Sequence, residues 1–155
     1  MIEPFLKRGQ LVPNFTLPDS QGEPLRRSIY RGRQHLALVF LPNASDPAAH
    51  DYLRGLAARH AEIRAAAAEV LVILPAAPAE LAWLRHELGL PFPLLSDANG
   101  ETATRFLPQD AGVGLFVVDR YGELYYGITA PDVTGLPVTD EVPEWLAAVD
   151  NQCVI

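Results

Sequence analysis

The sequence predicts an α/β fold, with a central mixed β-sheet flanked by helices on both faces and an N-terminal β-hairpin. Three observations carry this prediction. Two uninterrupted apolar runs, residues 36–41 and 70–74, suit central strands covered on both sides. Between them, apolar residues recur every three to four positions, as in a crossover helix, which makes the two strands parallel. A later pair of apolar runs, 115–119 and 123–128, is joined by Arg120-Tyr121-Gly122, a tight turn that adds antiparallel strands.

Each element follows from its residues. Residues 1–35 are extended and turn-rich, because Pro13, Pro18 and Pro24 break helices. Phe15-Thr16-Leu17 and Pro24-Leu25-Arg26 form the arms of a hairpin around Asp19-Ser20-Gln21-Gly22, and Arg31-Gly32-Arg33-Gln34 is a second turn. After the strand 36–41, Asp46 is a good N-cap and Pro47 suits the first helical position. The helix they open is expected to run to about residue 68, with Leu53, Leu56, His60, Ile63 and Ala67 on one face. Residues 79–88 read as a helix that Gly89 ends. Residues 92–95 read as a short extended piece, 99–106 as a short helix, and a last helix starts near Pro143.

Composition narrows the function classes. The chain has 155 residues with 49% hydrophobic and 20% charged, which fits a single domain over residues 1–155. Twelve basic against nineteen acidic residues give a net charge of −7, so a phosphate backbone is repelled and nucleic acid is not an expected partner. The lone cysteine, Cys153, rules out an internal disulfide, a Cys-x-x-Cys pair and a thiolate-rich metal site. No apolar run is long enough to span a bilayer or to serve as an export signal, so no membrane role is expected and the expected location is the cytoplasm.

Four stretches in order carry a resemblance. They are Val12-Pro13-Asn14-Phe15-Thr16-Leu17-Pro18-Asp19 with Gly22, Tyr30-Arg31-Gly32-Arg33, Phe92-Pro93-Leu94-Leu95-Ser96-Asp97 with Gly100-Glu101, and Phe116-Val117-Val118-Asp119-Arg120-Tyr121-Gly122-Glu123-Leu124. Together they resemble the peroxiredoxins of the alkyl hydroperoxide reductase/thiol-specific antioxidant family, and so imply a thioredoxin-like fold and a redoxin, antioxidant or oxidoreductase lineage. The family's site is Pro-x-x-x-Thr-x-x-Cys after the first core strand, with an Arg ahead of the closing hairpin. Its helix-start thiolate attacks the peroxide O–O bond and becomes a sulfenic acid. On this sequence Pro42 keeps the Pro, but Asp46 falls at the Thr position, Ala49 at the Cys and Val113 at the Arg. Ala49 offers no nucleophile, and Asp46 would raise a thiolate's pKa rather than lower it.

The expected reading is therefore a family member that has lost the peroxidase chemistry and serves binding or assembly. Its partner would be a second copy, in a homodimer, or another protein. No cofactor and no metal are expected. Two alternatives remain open: a thiol-dependent peroxidase using Cys153, and a small-anion sensor at the 46–50 helix start. His50 beside Asp46 is a candidate proton-transfer pair, weighed against an exposed first-turn histidine. His35, His60 and His86 have no ligand spacing and read as surface or boundary residues. Asp97 and Glu101 read as helix-capping acids, and Gly112-x-Gly114 lacks a full phosphate-binding fingerprint. Tyr125 and Tyr126, adjacent in a strand, are expected on opposite faces.

Overall fold

A five-stranded sheet of order β5-β4-β3-β6-β7 organises the chain. Its strands are β3 (His35–Phe40), β4 (Ala68–Leu74), β5 (Leu94–Ser96), β6 (Val113–Val118) and β7 (Leu124–Ala130). The computed structural model describes residues 6–152. A separate hairpin, β1 (Thr16–Pro18) with β2 (Pro24–Arg26), precedes the sheet. β3, β4 and β5 run parallel, and β6 and β7 are antiparallel. The crossover, the closing hairpin and the entry hairpin all match the pattern in the sequence. The last strand turn is closed by Gly122 at φ +87°, which a glycine adopts without strain.

Alternation along the strands divides the core in two. Ala37 and Val39 of β3, Val70 and Val72 of β4, and Leu115 and Val117 of β6 face α1 (Pro47–Ala58), α2 (His60–Ala65), α3 (Pro78–Leu88) and α5 (Glu141–Gln152). Leu36, Leu38, Phe40, Leu71, Ile73, Phe116 and Val118 face the N-terminal segment and α4 (Glu101–Phe106). Both faces of β3, β4 and β6 are thus dry, which is why these strands read as unbroken apolar runs.

The structure corrects the sequence reading in four places. The helix predicted from 46 to about 68 is two helices, broken at Arg59 (φ −103°, ψ 5°), and residue 68 already belongs to β4. The return into β4 passes through Ala67 at φ +57°, a left-handed conformation that costs a residue with a Cβ about 1–2 kcal/mol. Ala67→Gly is accordingly expected to leave stability unchanged or raise it by up to about 1 kcal/mol, the strain relief being offset in part by glycine's entropy. Chemical denaturation checks this, and a loss of stability would contradict it.

Tyr125 and Tyr126 do not take opposite environments. Val117 pairs with Tyr126 and Val118 with Leu124, so Tyr125 is the extra residue of a β-bulge. Both rings then reach Trp145 of α5, Tyr126 stacked at 3.9 Å and Tyr125 edge-on at 6.3 Å.

His35 is not a boundary residue either, whereas His60 is half-buried, as expected of a boundary position. His35 is fully buried; its Nδ1 accepts from the Arg120 backbone N–H (2.9 Å) and its Nε2 lies 3.1 Å from Asp150 Oδ1. Arg120 Nη2 reaches the same Asp150 oxygen at 3.0 Å. His60 Nε2 sits 2.8 Å from the buried Glu69 carboxylate, which Arg64 and the Val70 N–H also serve. These clusters tie α5 to β3 and α2 to β4.

Val113, which the sequence reading leaves ahead of the strand predicted at 115–119, is the first residue of β6, paired with Ala130 and fully buried.

Candidate functional site at the β3–α1 junction

The segment between Phe40 and Pro47 is held by its own short polar side chains. Asn43 Oδ1 accepts from the N–H and hydroxyl of Ser45 (3.0 and 3.1 Å), and Asp46 Oδ1 accepts from the Ala48 N–H (3.1 Å). Asp46 is therefore the N-cap that the sequence predicts, with Pro47 at the first helical position. Its carboxylate fills the helix start that the anion-sensor alternative would need.

His50 stands on the first turns of α1 and is half-buried rather than exposed. Its Nε2 lies 2.6 Å from the Ala44 carbonyl oxygen, so Nε2 carries the proton and donates. The ring fastens α1 to the preceding loop. Asp46 meets His50 only through the helical bond from the His50 N–H to the Asp46 carbonyl (3.0 Å). The proton-transfer pairing considered from the sequence is not formed in this geometry, since both side chains are committed to the backbone.

Ala49 points inward. It is 1% exposed and belongs to the same apolar cluster as Leu41, Ala44, Tyr52, Leu53 and Val113. The structure thus brings Ala49 and Val113 into one core, with neither a thiol nor a cation in that cluster. Pro42 lies at the rim of a largely apolar cleft of about 290 Å³ at the ends of β3 and β4, where Leu41 and Leu74 of that same core cluster also form walls. Phe40, Ile73, Leu74, Leu107 and Gly112 line the cleft with it. Asp46, Ala49, His50 and Val113 are not among its walls.

The remaining sequence candidates have structural roles. Asp97, 2% exposed, accepts from the N–H groups of Thr102 (3.1 Å) and Ala103 (2.9 Å), and so caps α4 from upstream. Gly112 and Gly114 are packing glycines: a Cβ on Gly112 would stand 2.4 Å from the Pro131 carbonyl oxygen, and one on Gly114 2.6 Å from Leu107 Cδ2. Cys153 lies outside the described residues. Among the described residues no group of three or more His, Cys, Asp or Glu side chains could hold a metal ion, and no helix is long and apolar enough to cross a membrane.

Sequence reasoning missed Tyr52, one turn beyond Ala49. Its hydroxyl donates to the Pro137 carbonyl oxygen at 2.8 Å, fixing α1 to the segment before α5. Burial, and then the nearby Glu141 charge, push its pKa well above the usual tyrosine value. An unfolded tyrosine ionises near pH ~10, whereas the folded phenol keeps its proton. This contribution is therefore complete below about pH 10 and is lost as pH rises beyond it. Thermal melts of wild type should fall between about pH 10 and 11 more steeply than those of Tyr52→Phe; parallel curves would contradict the assignment.

Comparison with known proteins places this geometry. The model of the AhpC/TSA family matches residues 8–126. A putative peroxiredoxin of Mycobacterium tuberculosis, MT2597, is 36% identical over 99 residues, 64% of this chain and 62% of that protein. Peroxiredoxin Bcp of Escherichia coli K12 is 32% identical over 101 residues, 65% of this chain and 64% of Bcp. The chain thus spans a little under two thirds of the length of these relatives. Among solved structures, peroxidoxin BcpB of Mycobacterium tuberculosis superposes with a TM-score of 0.79 at 22% identity, covering 97% of this chain and 99% of that one. Peroxiredoxin Q of Xanthomonas campestris gives 0.80 at 18% identity, covering 95% and 98%. At these identities the two structures speak for the fold, including the last helix, which lies beyond the family match.

Proposed function

From the premise that this chain belongs to the AhpC/TSA family, we propose that it is a peroxiredoxin-like redoxin domain without peroxidase chemistry at the β3–α1 junction, retained for binding or assembly. Ala49 carries this reading. It falls where the family's pattern has its cysteine, it has no nucleophilic atom, and it is packed into the apolar core. The supporting positions agree: Asp46 spends its carboxylate on the Ala48 N–H, and Val113 offers an apolar side chain where the pattern has a cation. Peroxide reduction needs a thiolate that attacks one peroxide oxygen, becoming a sulfenic acid as the other oxygen leaves as water or alcohol. Nothing at residues 42–50 supplies that sulfur.

Cys153 is the only thiol in the sequence, so the alternative enzyme must use it. Thiol titre separates the two readings. After one equivalent of hydrogen peroxide, the proposal expects the titre of one per chain to persist over minutes. Rapid loss of the titre, with a sulfenic acid trapped on Cys153, would overturn it in favour of the alternative.

A further inference from the structure

Charge is distributed unevenly along the chain. Residues 24–45 hold four arginines and no acid, whereas residues 121–155 hold six acids and no lysine or arginine. The first group surrounds the 3-10 turn Arg27–Tyr30. Arg26, Arg31 and Arg33 are exposed, and no ion pair among the described residues involves them. Arg27 is buried, yet among the described residues its guanidinium donates only to the Pro13 and Val12 carbonyl oxygens. Burial, and then the neighbouring Arg31 charge, lower its pKa. Positive groups held together without a counter-ion create a potential that an anionic partner relieves. The face also has an apolar component: Ile29 is 51% exposed and lines an open groove of about 470 Å³ with Leu25, Pro24 and Arg26, and with Asp19, whose Oδ1 accepts from the N–H groups of Gln21 and Glu23. A bare phosphate would leave that groove unused.

The complementary surface lies on the same chain. At the start of α5, Glu141 and Glu144 are exposed and enter no ion pair among the described residues. Val138, just ahead of them, is 63% exposed, and a shallow groove of about 310 Å³ lies between Glu141, Glu144 and Trp145. One face therefore offers unpaired cations around an exposed isoleucine, and the other unpaired carboxylates beside an exposed valine.

We propose that the arginine face at residues 26–33 docks the acidic start of α5 on a second copy of this chain. This rests on the assembly role proposed above and names its partner and contact. With a net charge of −7, two copies repel in most orientations, so the favoured approach sets the unpaired arginines of one against the unpaired Glu141 and Glu144 of the other, the adjoining Asp140 being already held by Arg59. The contact joins two different surfaces, so it closes into a ring or extends into a chain of copies according to the rotation it imposes. Only exposed charges take part, so the association is weak and screened by salt.

Sedimentation equilibrium of the full chain tests this in about 20 mM and about 500 mM salt, where the screening length falls from tens of ångströms to a few. The expected result is an average mass above the 16.9 kDa monomer at low salt that falls to the monomer at high salt. The triple variant Arg26→Glu, Arg31→Glu, Arg33→Glu and the double variant Glu141→Lys, Glu144→Lys should each be monomeric at low salt. All five substitutions are at exposed positions, and circular dichroism verifies folding. An equimolar mixture of the two variants should recover association, because each reversed face again meets its opposite. A wild type that is monomeric at low salt overturns the self-contact and leaves assembly to a different protein. Association that survives both charge reversals, or a mixture that stays monomeric, overturns this pair of faces and leaves self-assembly itself standing.

Discussion

Replacing Phe116 by alanine is expected to cost about 3–5 kcal/mol, read as a fall of about 10 °C or more in melting temperature. Phe116 is fully buried at the centre of an aromatic group on one face of the sheet. Its ring meets Phe40 at 5.7 Å and Phe106 at 5.4 Å, both edge-on, and Phe106 in turn meets Phe15 at 6.0 Å. Such contacts add to the area term, and the cavity left by truncation removes them together. The surroundings are shaped for the ring. A Cβ on Gly114 would stand 2.8 Å from Phe116 Cε2, and one on Gly127 3.0 Å from Phe116 Cδ1, so its own strand β6 and the neighbouring β7 each carry a glycine to admit it. Chemical denaturation measures the loss; a cost under about 1.5 kcal/mol would mean that the cluster collapses around the gap.

His35→Ala is expected to cost about 3 kcal/mol, through orphaned polar groups as well as lost volume. The imidazole accepts from the Arg120 N–H at Nδ1 and faces Asp150 at Nε2, which fixes the proton on Nε2. Without it the Arg120 N–H loses its acceptor, and among the described residues Asp150 keeps only the Arg120 guanidinium. The substitution should also loosen α5, because β3 meets α5 through this cluster. Hydrogen exchange resolves that: amides of 141–152 should exchange faster by a larger factor than those of β4. Equal acceleration throughout would show that the effect is global and that His35 is not a specific tie.

What the sequence disclosed and what it hid have physical causes. Strands β3, β4 and β6 are buried on both faces, so they stand out as apolar runs. The α1 start is equally plain, because Asp46 and Pro47 act locally through one side-chain bond and one fixed φ. Distant pairings left no such mark. His35 lies 115 residues from Asp150, so the sequence shows only an isolated histidine at a strand start. The bulge at Tyr125 depends on strand register, which adjacent residues do not reveal. Ala67 adopts a left-handed backbone where only glycine would have signalled a stop, and the predicted helix overran for that reason. At the site, the residue types of Asp46, Ala49 and Val113 were legible in order, but the burial of Ala49 and Val113 was not. Ala49 and Val113 face the core on the α1 side of the sheet, while Pro42 borders the cleft at the ends of β3 and β4.

A redoxin fold without a sulfur at residue 49 can still present stable surfaces. Both clusters of the core are apolar and continuous across the sheet, and neither depends on the β3–α1 junction being reactive. The junction itself is closed by Asn43, Asp46 and His50, each bonding to backbone within a few residues. That arrangement favours a fixed loop over one that opens to admit a substrate.

The most direct measurement is peroxide consumption by the full chain with a thiol reductant present, for wild type and Cys153→Ser. The account predicts that both remain at the rate of the reductant alone, with hydrogen peroxide and with an alkyl hydroperoxide. Turnover by wild type that disappears in Cys153→Ser would contradict it, by placing the chemistry on the one thiol the chain has.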